Sequence, residues 1–243
     1  MMAVFRLLPP YFLMLLVSFP VMSSAQTSPD KIIAYTVDPS LDSVAFYWND
    51  DHGVHLKSLG RLKTFVESKD RRLLFAMNAG MYMEDNSPLG LFIQDGVQRR
   101  KLNEKGGHGN FYLKPNGIFY INGQGQASVS ETSNFKSTSD IKFATQSGPM
   151  LVIDGDIHPA FIQGSANLNI RNGVGILPDG KVIFAISTVA INFYDFAMFF
   201  KTRGCLNALY LDGFVSRAYF DDRDWKQLDG NFGVMIGVTS LNK

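Results

Sequence analysis

Cysteine is almost absent: Cys205 is the only one in 243 residues. An intramolecular disulfide is therefore excluded, and so is a zinc centre built from several thiolates. Flanked by Gly204 and Leu206, Cys205 reads as a small apolar core residue. An excess of either charge is missing too. With 23 Lys+Arg against 22 Asp+Glu, the formal net charge is +1. No global basic field is available to hold nucleic acid, and Arg71-Arg72 and Arg99-Arg100-Lys101 read as solvated strand or turn ends. The usual cofactor signatures are lacking as well. The chain has no phosphate loop ending in Gly-Lys-Ser/Thr, no dinucleotide fingerprint between strand and helix, and no His-Glu-x-x-His helix. Neither a cofactor nor a metal is expected.

Long apolar runs are confined to the beginning. Arg6 precedes an apolar stretch from Leu7 to Met22, and Ser23-Ser24-Ala25 supplies small residues ahead of a cut before Gln26. The stretch is about 16 residues long, against the roughly 20 that a spanning helix needs, and Pro9, Pro10 and Pro20 interrupt it. Residues 1–25 are read as a secretory signal. Its removal leaves no stable membrane span. Export without disulfides suits a bacterial periplasm, or secretion from a bacterium. Residues 26–30 form a polar lead-in, and 31–243 read as one domain with no internal linker.

Within that domain, Lys31–Val37 and Ser43–Trp48 read as strands, and His55–Ser68 as an amphipathic helix carrying Leu56, Leu59, Leu62, Phe65 and Val66. Leu73–Met77 is a strand buried on both faces. Hairpins are expected at Phe111–Tyr120 through Lys114-Pro115-Asn116-Gly117, at Met150–Ile157 through Asp154-Gly155, and at Val174–Ile186 through Pro178-Asp179-Gly180. Asn192 is the N-cap of a second helix, with Asp195 at N3 and an Arg203-Gly204 stop. Ala208–Leu211 is a buried strand, and Phe232–Thr239 closes the chain. The fold class is α+β: a single domain with a mixed, mostly antiparallel sheet and a few packed helices.

Four segments share one pattern, a buried strand running into polar residues and glycines, where sites are commonly built. They are Phe75–Tyr82 followed by Ser87-Pro88-Leu89-Gly90, Thr145–Leu151, Asn169–Ile176, and Leu209–Arg217. Singly, each has a plain structural reading. Asn78 ties down a turn, Asp212-Gly213 makes a hairpin corner, Gln146 satisfies a backbone group, and Arg171 is a surface charge.

Taken in order, the segments resemble the phosphodiester glycosidase family, and most closely a bacterial exported branch of it. The resemblance rests on Asn78-Ala79-Gly80-Met81-Tyr82, Pro88 with Gly90, Gln146 with Gly148-Pro149 and Leu151, Arg171, and Leu211-Asp212-Gly213. It runs from about Leu73 to the C-terminus. One departure stands out: the family commonly continues Asp-Gly-Gly-Gly-Ser, and here the chain reads Asp212-Gly213-Phe214-Val215-Ser216. Glycines permit close backbone approach and positive φ, which Phe214 and Val215 restrict. Either the pocket takes a different substrate or the phosphate cradle is weakened.

The resemblance implies hydrolysis of a sugar-1-phosphodiester, with a carbohydrate, sugar phosphate or cell-envelope glycan as partner. Arg171 is then the phosphate clamp, through its guanidinium fork. Asp212 is the catalytic carboxylate, and Asn78 completes the catalytic set. Substrate-binding candidates are Gln146, Gly80, Gly148, Gly213, Ser216, Arg217 and the loop histidine His108. Asp195 serves the helix N-terminus, Glu84-Asp85 is a spare acid pair, and Asp221, Asp222 and Asp224 belong to an exposed turn. Two rivals keep the fold without turnover: an exported glycan or sugar-phosphate binding protein, and an assembly protein with a degenerate pocket.

Overall fold

The computed structural model describes residues 31–241 except Phe214, so the signal reading of 1–25 and the lead-in 26–30 lie outside the described residues. The first half of the chain carries β1 (Ile32–Val37), β2 (Ser43–Tyr47), α1 (Leu59–Glu67), β3 (Arg71–Asn78), β4 (Phe92–Gln94), β5 (Val97–Arg100), β6 (Gly117–Asn122) and β7 (Ala127–Glu131). The second half carries β8 (Ile141–Ser147), β9 (Met150–Ile153), β10 (Asp156–Ile157), β11 (Asn172–Ile176), β12 (Val182–Ser187), α2 (Phe193–Lys201), β13 (Ala208–Tyr210), β14 (Ala218–Phe220), β15 (Trp225–Lys226) and β16 (Met235–Leu241).

The strands form three sheets, ordered β1-β12-β11-β13-β9-β10, β15-β14-β3-β16-β2 and β5-β4-β8-β6-β7. Their inner faces meet in one apolar core. Phe75 and Met77 of β3, Phe119 of β6, Phe143 of β8, Val182, Phe184 and Ile186 of β12, and Ile236 and Val238 of β16 all point into it. Alternation sends the intervening residues outward, as the two-residue period of a strand requires. Ile183 and Ala185 of β12 pack under α2, and Ala76 of β3 with Met235 of β16 packs under α1. The central strands are thus apolar on both faces, and the fold is a single α+β domain.

Local chemistry accounts for the helices and turns. Asn192 accepts from Asp195 N at 2.8 Å, and its amide donates back to the Asp195 carboxylate at 3.0 Å, a reciprocal cap on α2. The turn between β9 and β10 places Asp154 and Gly155 at φ 48° and 89°, the pair of positive angles that a tight hairpin needs.

Three sequence expectations are corrected. Helix α1 begins at Leu59, not His55, because Ser58 caps it by accepting from Arg61 N and Lys57 sits at φ 63°, outside helical geometry. The hairpin through Lys114–Gly117 does not form. Phe111 lies instead in a 3₁₀ turn, Asn110–Tyr112, whose Phe111 carbonyl accepts from the Asn116 amide at 2.9 Å, while β6 pairs with β7 and β8. The last strand starts at Met235, since Phe232 N is bonded to Lys57 O rather than to a ladder.

Phe184 is fully buried, with ring centroids 5.4 Å from Phe75 and 5.8 Å from Phe119. Phe184→Ala is expected to cost about 3–5 kcal/mol in urea unfolding. Leu41→Ala, at a side chain 84% exposed, is expected to stay within about 0.5 kcal/mol of wild type.

Candidate active site

The ends of β3 and β13 and the start of β11 converge at one point. Gly173 of β11 pairs with Tyr210 of β13, Leu211 N donates to Asn172 O, and Asp212 N donates to Ala79 O at 3.1 Å. Strands of two different sheets are joined there, and buried amide side chains close the joint. Asn78 Nδ2 donates to Asp212 O at 2.7 Å, and Asn78 Oδ1 accepts from Arg217 N at 2.9 Å. Asn172 Nδ2 donates to Asn78 O at 2.8 Å and Oδ1 at 3.1 Å. Ser216 Oγ completes the set by donating to Asn172 Oδ1 at 3.2 Å. The segment 212–217 is therefore held from both ends by Asn78. In this arrangement Asn78 and Ser216 fix the loop that carries Asp212.

Asp212 itself is half-buried. Its backbone is fully used, yet no donor among the described residues bonds to its carboxylate. Burial without compensation pushes its pKa from 3.8 up to about 6. The charged form is accordingly disfavoured near neutral pH, and a carboxylate raised by burial is a candidate proton-handling group.

Beside it lies Tyr210, buried, with its hydroxyl accepting from Arg171 Nη1 at 3.3 Å. The Gly213 amide is directed at the same hydroxyl, and burial holds the phenol up at about 12, so it stays protonated. Gly213 has to be glycine here: a Cβ would lie 1.5 Å from the Tyr210 oxygen.

Arg171 is among the largest fully buried side chains. Nε donates to Ile191 O at 2.8 Å, and Nη2 donates to Asn167 O at 2.8 Å and Oδ1 at 3.3 Å. Its guanidinium carbon stacks 3.6 Å from the centroid of Phe193. No carboxylate among the described residues pairs with it, and burial holds its pKa below the usual value. Most of its fork is thus engaged by protein acceptors while its charge remains uncompensated, a state that favours a bound anion.

The other candidates are placed as follows. Gln146 is buried and saturated: Oε1 accepts from Leu91 N and Asn103 N, each at 2.9 Å, and Nε2 donates to Asn103 O at 2.8 Å. It fastens the loop after β5 to β8. Gly80 packs on that strand, where a Cβ would approach Thr145 Oγ1 to 2.4 Å, and Gly148 packs on Asn116, where it would approach Cβ to 2.6 Å. Arg217 forms an ion pair with Asp229 at 3.0 Å. His108 is exposed in its loop. Asp85 accepts from Ser87 N, Asp221 is held by Arg72 and Tyr219, and Asp222 pairs with Arg223.

The sequence model of a family described as phosphodiester glycosidase matches residues 71–238. The chain belongs to the phosphodiester glycosidase family. It is 41% identical over 189 residues to the uncharacterized protein YigE of Escherichia coli K12, a match covering 76% of this chain and 73% of that one. Among solved structures it resembles the zebrafish N-acetylglucosamine-1-phosphodiester alpha-N-acetylglucosaminidase catalytic domain auto-inhibited by pro-peptide, with TM-score 0.58, 16% identity, and coverage of 89% of this chain and 85% of that one. It also resembles a Burkholderia pseudomallei K96243 protein named as a candidate exported protein, with TM-score 0.55, 11% identity, and coverage of 85% and 73%. These two likenesses establish a shared fold.

In this member of the family, Val215 packs against the apolar cluster beneath α1, so its place in the departure from the glycine run has a packing role. Two residues of the joint, Tyr210 and Asn172, were not singled out as site residues in the sequence. Both lie inside the segments that were, but an apolar strand position and an amide beside a glycine carry no distinctive signal. Tyr82 is a third; it neighbours Asp212 closely enough for that carboxylate to raise its pKa, after burial.

Asp212 yields a signed prediction. Its folded pKa lies above the unfolded one, so the folded protein binds the extra proton between about pH 4 and 6, and stability is lost as pH rises through that window. Asp212→Asn removes the penalty. Urea titrations are expected to show the variant about 1–3 kcal/mol more stable than wild type at pH 8, with the gap closing at pH 4. Asn78→Ala leaves buried backbone groups unpaired and is expected to cost about 1–3 kcal/mol, with amide exchange accelerating first in residues 212–217.

Proposed function

We propose that this family member is an exported hydrolase that cleaves the C1–O bond of a sugar-1-phosphodiester. The observation that carries the reading is the half-buried Asp212 carboxylate, bonded by no donor among the described residues, set beside the Tyr210 hydroxyl and the Arg171 cation, which no described carboxylate pairs; burial pushes the Asp212 pKa up to about 6. A phosphodiester brings the negative charge that Arg171 lacks. The Tyr210 hydroxyl accepts from Arg171 and leans on the Gly213 amide, which leaves its own proton to donate to a phosphate oxygen. The sugar C1–O bond breaks with oxocarbenium character, and the phosphate monoester leaves as a stable anion. Asp212 takes a proton from the attacking water, whose oxygen bonds to C1. Asn78, Asn172 and Ser216 hold the loop so that this carboxylate does not relax away. The apolar leader in residues 1–25, together with the likeness to a candidate exported protein, supports a periplasmic or secreted setting.

A binding protein without turnover is favoured by one observation: the protein's own acceptors already occupy most of the Arg171 fork. Hydrolysis of a panel of UDP-sugars and sugar-1-phosphodiesters separates the two. Wild type is expected to release free sugar, with kcat/KM rising with pH to a plateau above about 6 as Asp212 ionises. Asp212→Asn is expected to lose about 10²- to 10⁴-fold, and Arg171→Ala to lose activity through weakened phosphate binding. If no panel member releases sugar while a sugar phosphate still raises the melting temperature, the protein is a binder.

A further inference from the structure

The roomiest feature near the candidate site is not the site itself. A cavity of about 500 Å³ opens beside Tyr47, Trp48 and Phe65, whereas the one bordering Arg171 through Asn167 and Phe193 holds about 170 Å³. Small-molecule sites typically occupy about 300–1,000 Å³. Tyr47 pairs with Met235, and Met235 with Asn78, so the cavity lies two strands along the same sheet row from the catalytic joint, roughly 10 Å at about 4.8 Å per strand. The 82–88 turn links the two places. Tyr82 neighbours Asp212, and Asn86 O accepts from Trp48 Nε1 at 2.9 Å.

The wall of this cavity divides into fixed and free groups. Trp48 is fixed by that bond and by stacking on His55, at 5.2 Å and 17°, and His55 is in turn bonded to Asn49. Phe65 stands edge-on to Tyr47 at 6.4 Å. The Tyr47 hydroxyl and the side chains of Gln94, Asp95 and Arg99 form no hydrogen bond or ion pair among the described residues, yet all of them line the cavity. A rigid aromatic wall facing unspent planar polar groups matches the two faces of a sugar ring: C–H bonds lie on aromatic carbon, and hydroxyls meet amide, carboxylate and guanidinium. Charge decides which sugars fit. Asp50, Asp51 and Asp95 line the cavity with Arg99, Lys69 is paired with Asp51, and Arg71 and Arg61 stand near Tyr47 and Asp50, so the charges offset and no excess cation is left to hold a phosphate.

We infer that this cavity is a second carbohydrate-binding site, which takes an uncharged sugar ring rather than a sugar phosphate. It is distinct from the Asp212 joint and stands independently of whether Asp212 turns a substrate over. In a glycan substrate, it holds a neutral residue away from the phosphodiester.

The chain has two tryptophans, so a Trp225→Phe variant makes Trp48 the sole indole reporter. Maltotriose and triacetylchitotriose are titrated against it while emission is followed. The expected result is a saturable change with at least one of them, unaffected by adding Asp212→Asn. Adding Gln94→Ala with Asp95→Asn is expected to weaken it about tenfold, as the loss of two hydrogen bonds implies. Asparagine is chosen at position 95 because Asp95 sits at φ 50°, which Asn tolerates. No saturable change with either saccharide overturns the inference. So does a change that Asp212→Asn abolishes and the Gln94→Ala/Asp95→Asn pair leaves intact, since the sugar then occupies the catalytic joint.

Discussion

Strands from two sheets stop at the same place, and the side-chain amides of Asn78 and Asn172 close the gap between them. Each amide carries donors and an acceptor, which is what a joint between non-paired backbones demands: Asn78 gives to Asp212 O and takes from Arg217 N, and Asn172 gives to Asn78. An apolar residue at either position would leave buried carbonyls and amides unpaired, at about 1–3 kcal/mol each. The Asp212 carboxylate, the Gly213 amide and the Tyr210 hydroxyl are all positioned by this joint. The glycines serve it too, because Gly80 and Gly213 let backbone approach side chains where a Cβ would collide.

The joint stores electrostatic cost. Among the described residues, Arg171 is buried without a counter-carboxylate, and Asp212 is half-buried without a donor to its carboxylate. In a purely structural pair these charges would neutralise each other directly. Here the Tyr210 hydroxyl accepts from the cation and the Gly213 amide is directed at it, next to the carboxylate. That arrangement leaves the guanidinium hydrogen-bonded by neutral acceptors rather than by a described carboxylate, and burial holds the carboxylate's pKa up at about 6. It is less stable than a paired one, and this is the sense in which the site departs from what packing alone would choose.

Much of this was legible in the linear chain. The short continuous apolar run marked Leu73–Met77 as a strand buried on both faces, the Pro178-Asp179-Gly180 turn marked the Val174–Ile186 hairpin, the Asp154-Gly155 turn followed from its need for positive φ, and the Asn192 cap followed from hydrogen-bonding chemistry. The motif order placed Asn78, Arg171 and Asp212 in candidate roles. Local rules failed where a distant partner intervened. The Phe111–Gly117 stretch has good hairpin residues, but β8 supplies the partner strand and Asn116 bonds inward to Phe111 O. Gln146 has the donors and acceptors of a sugar ligand, yet the loop at Leu91 and Asn103 consumes them.

What the sequence by itself determined is the family, the α+β class, and the residue types at the joint, because these rest on periodicity, turn chemistry and motif order along one chain. Only the tertiary structure decided which polar groups are spent and which remain free. Hydrogen-bond capacity is a property of a residue, but its satisfaction depends on neighbours far away in the chain. Asn78 meets Asp212 across 134 positions, Arg171 meets Tyr210 across 39, and Trp48 meets Asn86 across 38. The division between a fixing residue and an available one is written in those distances.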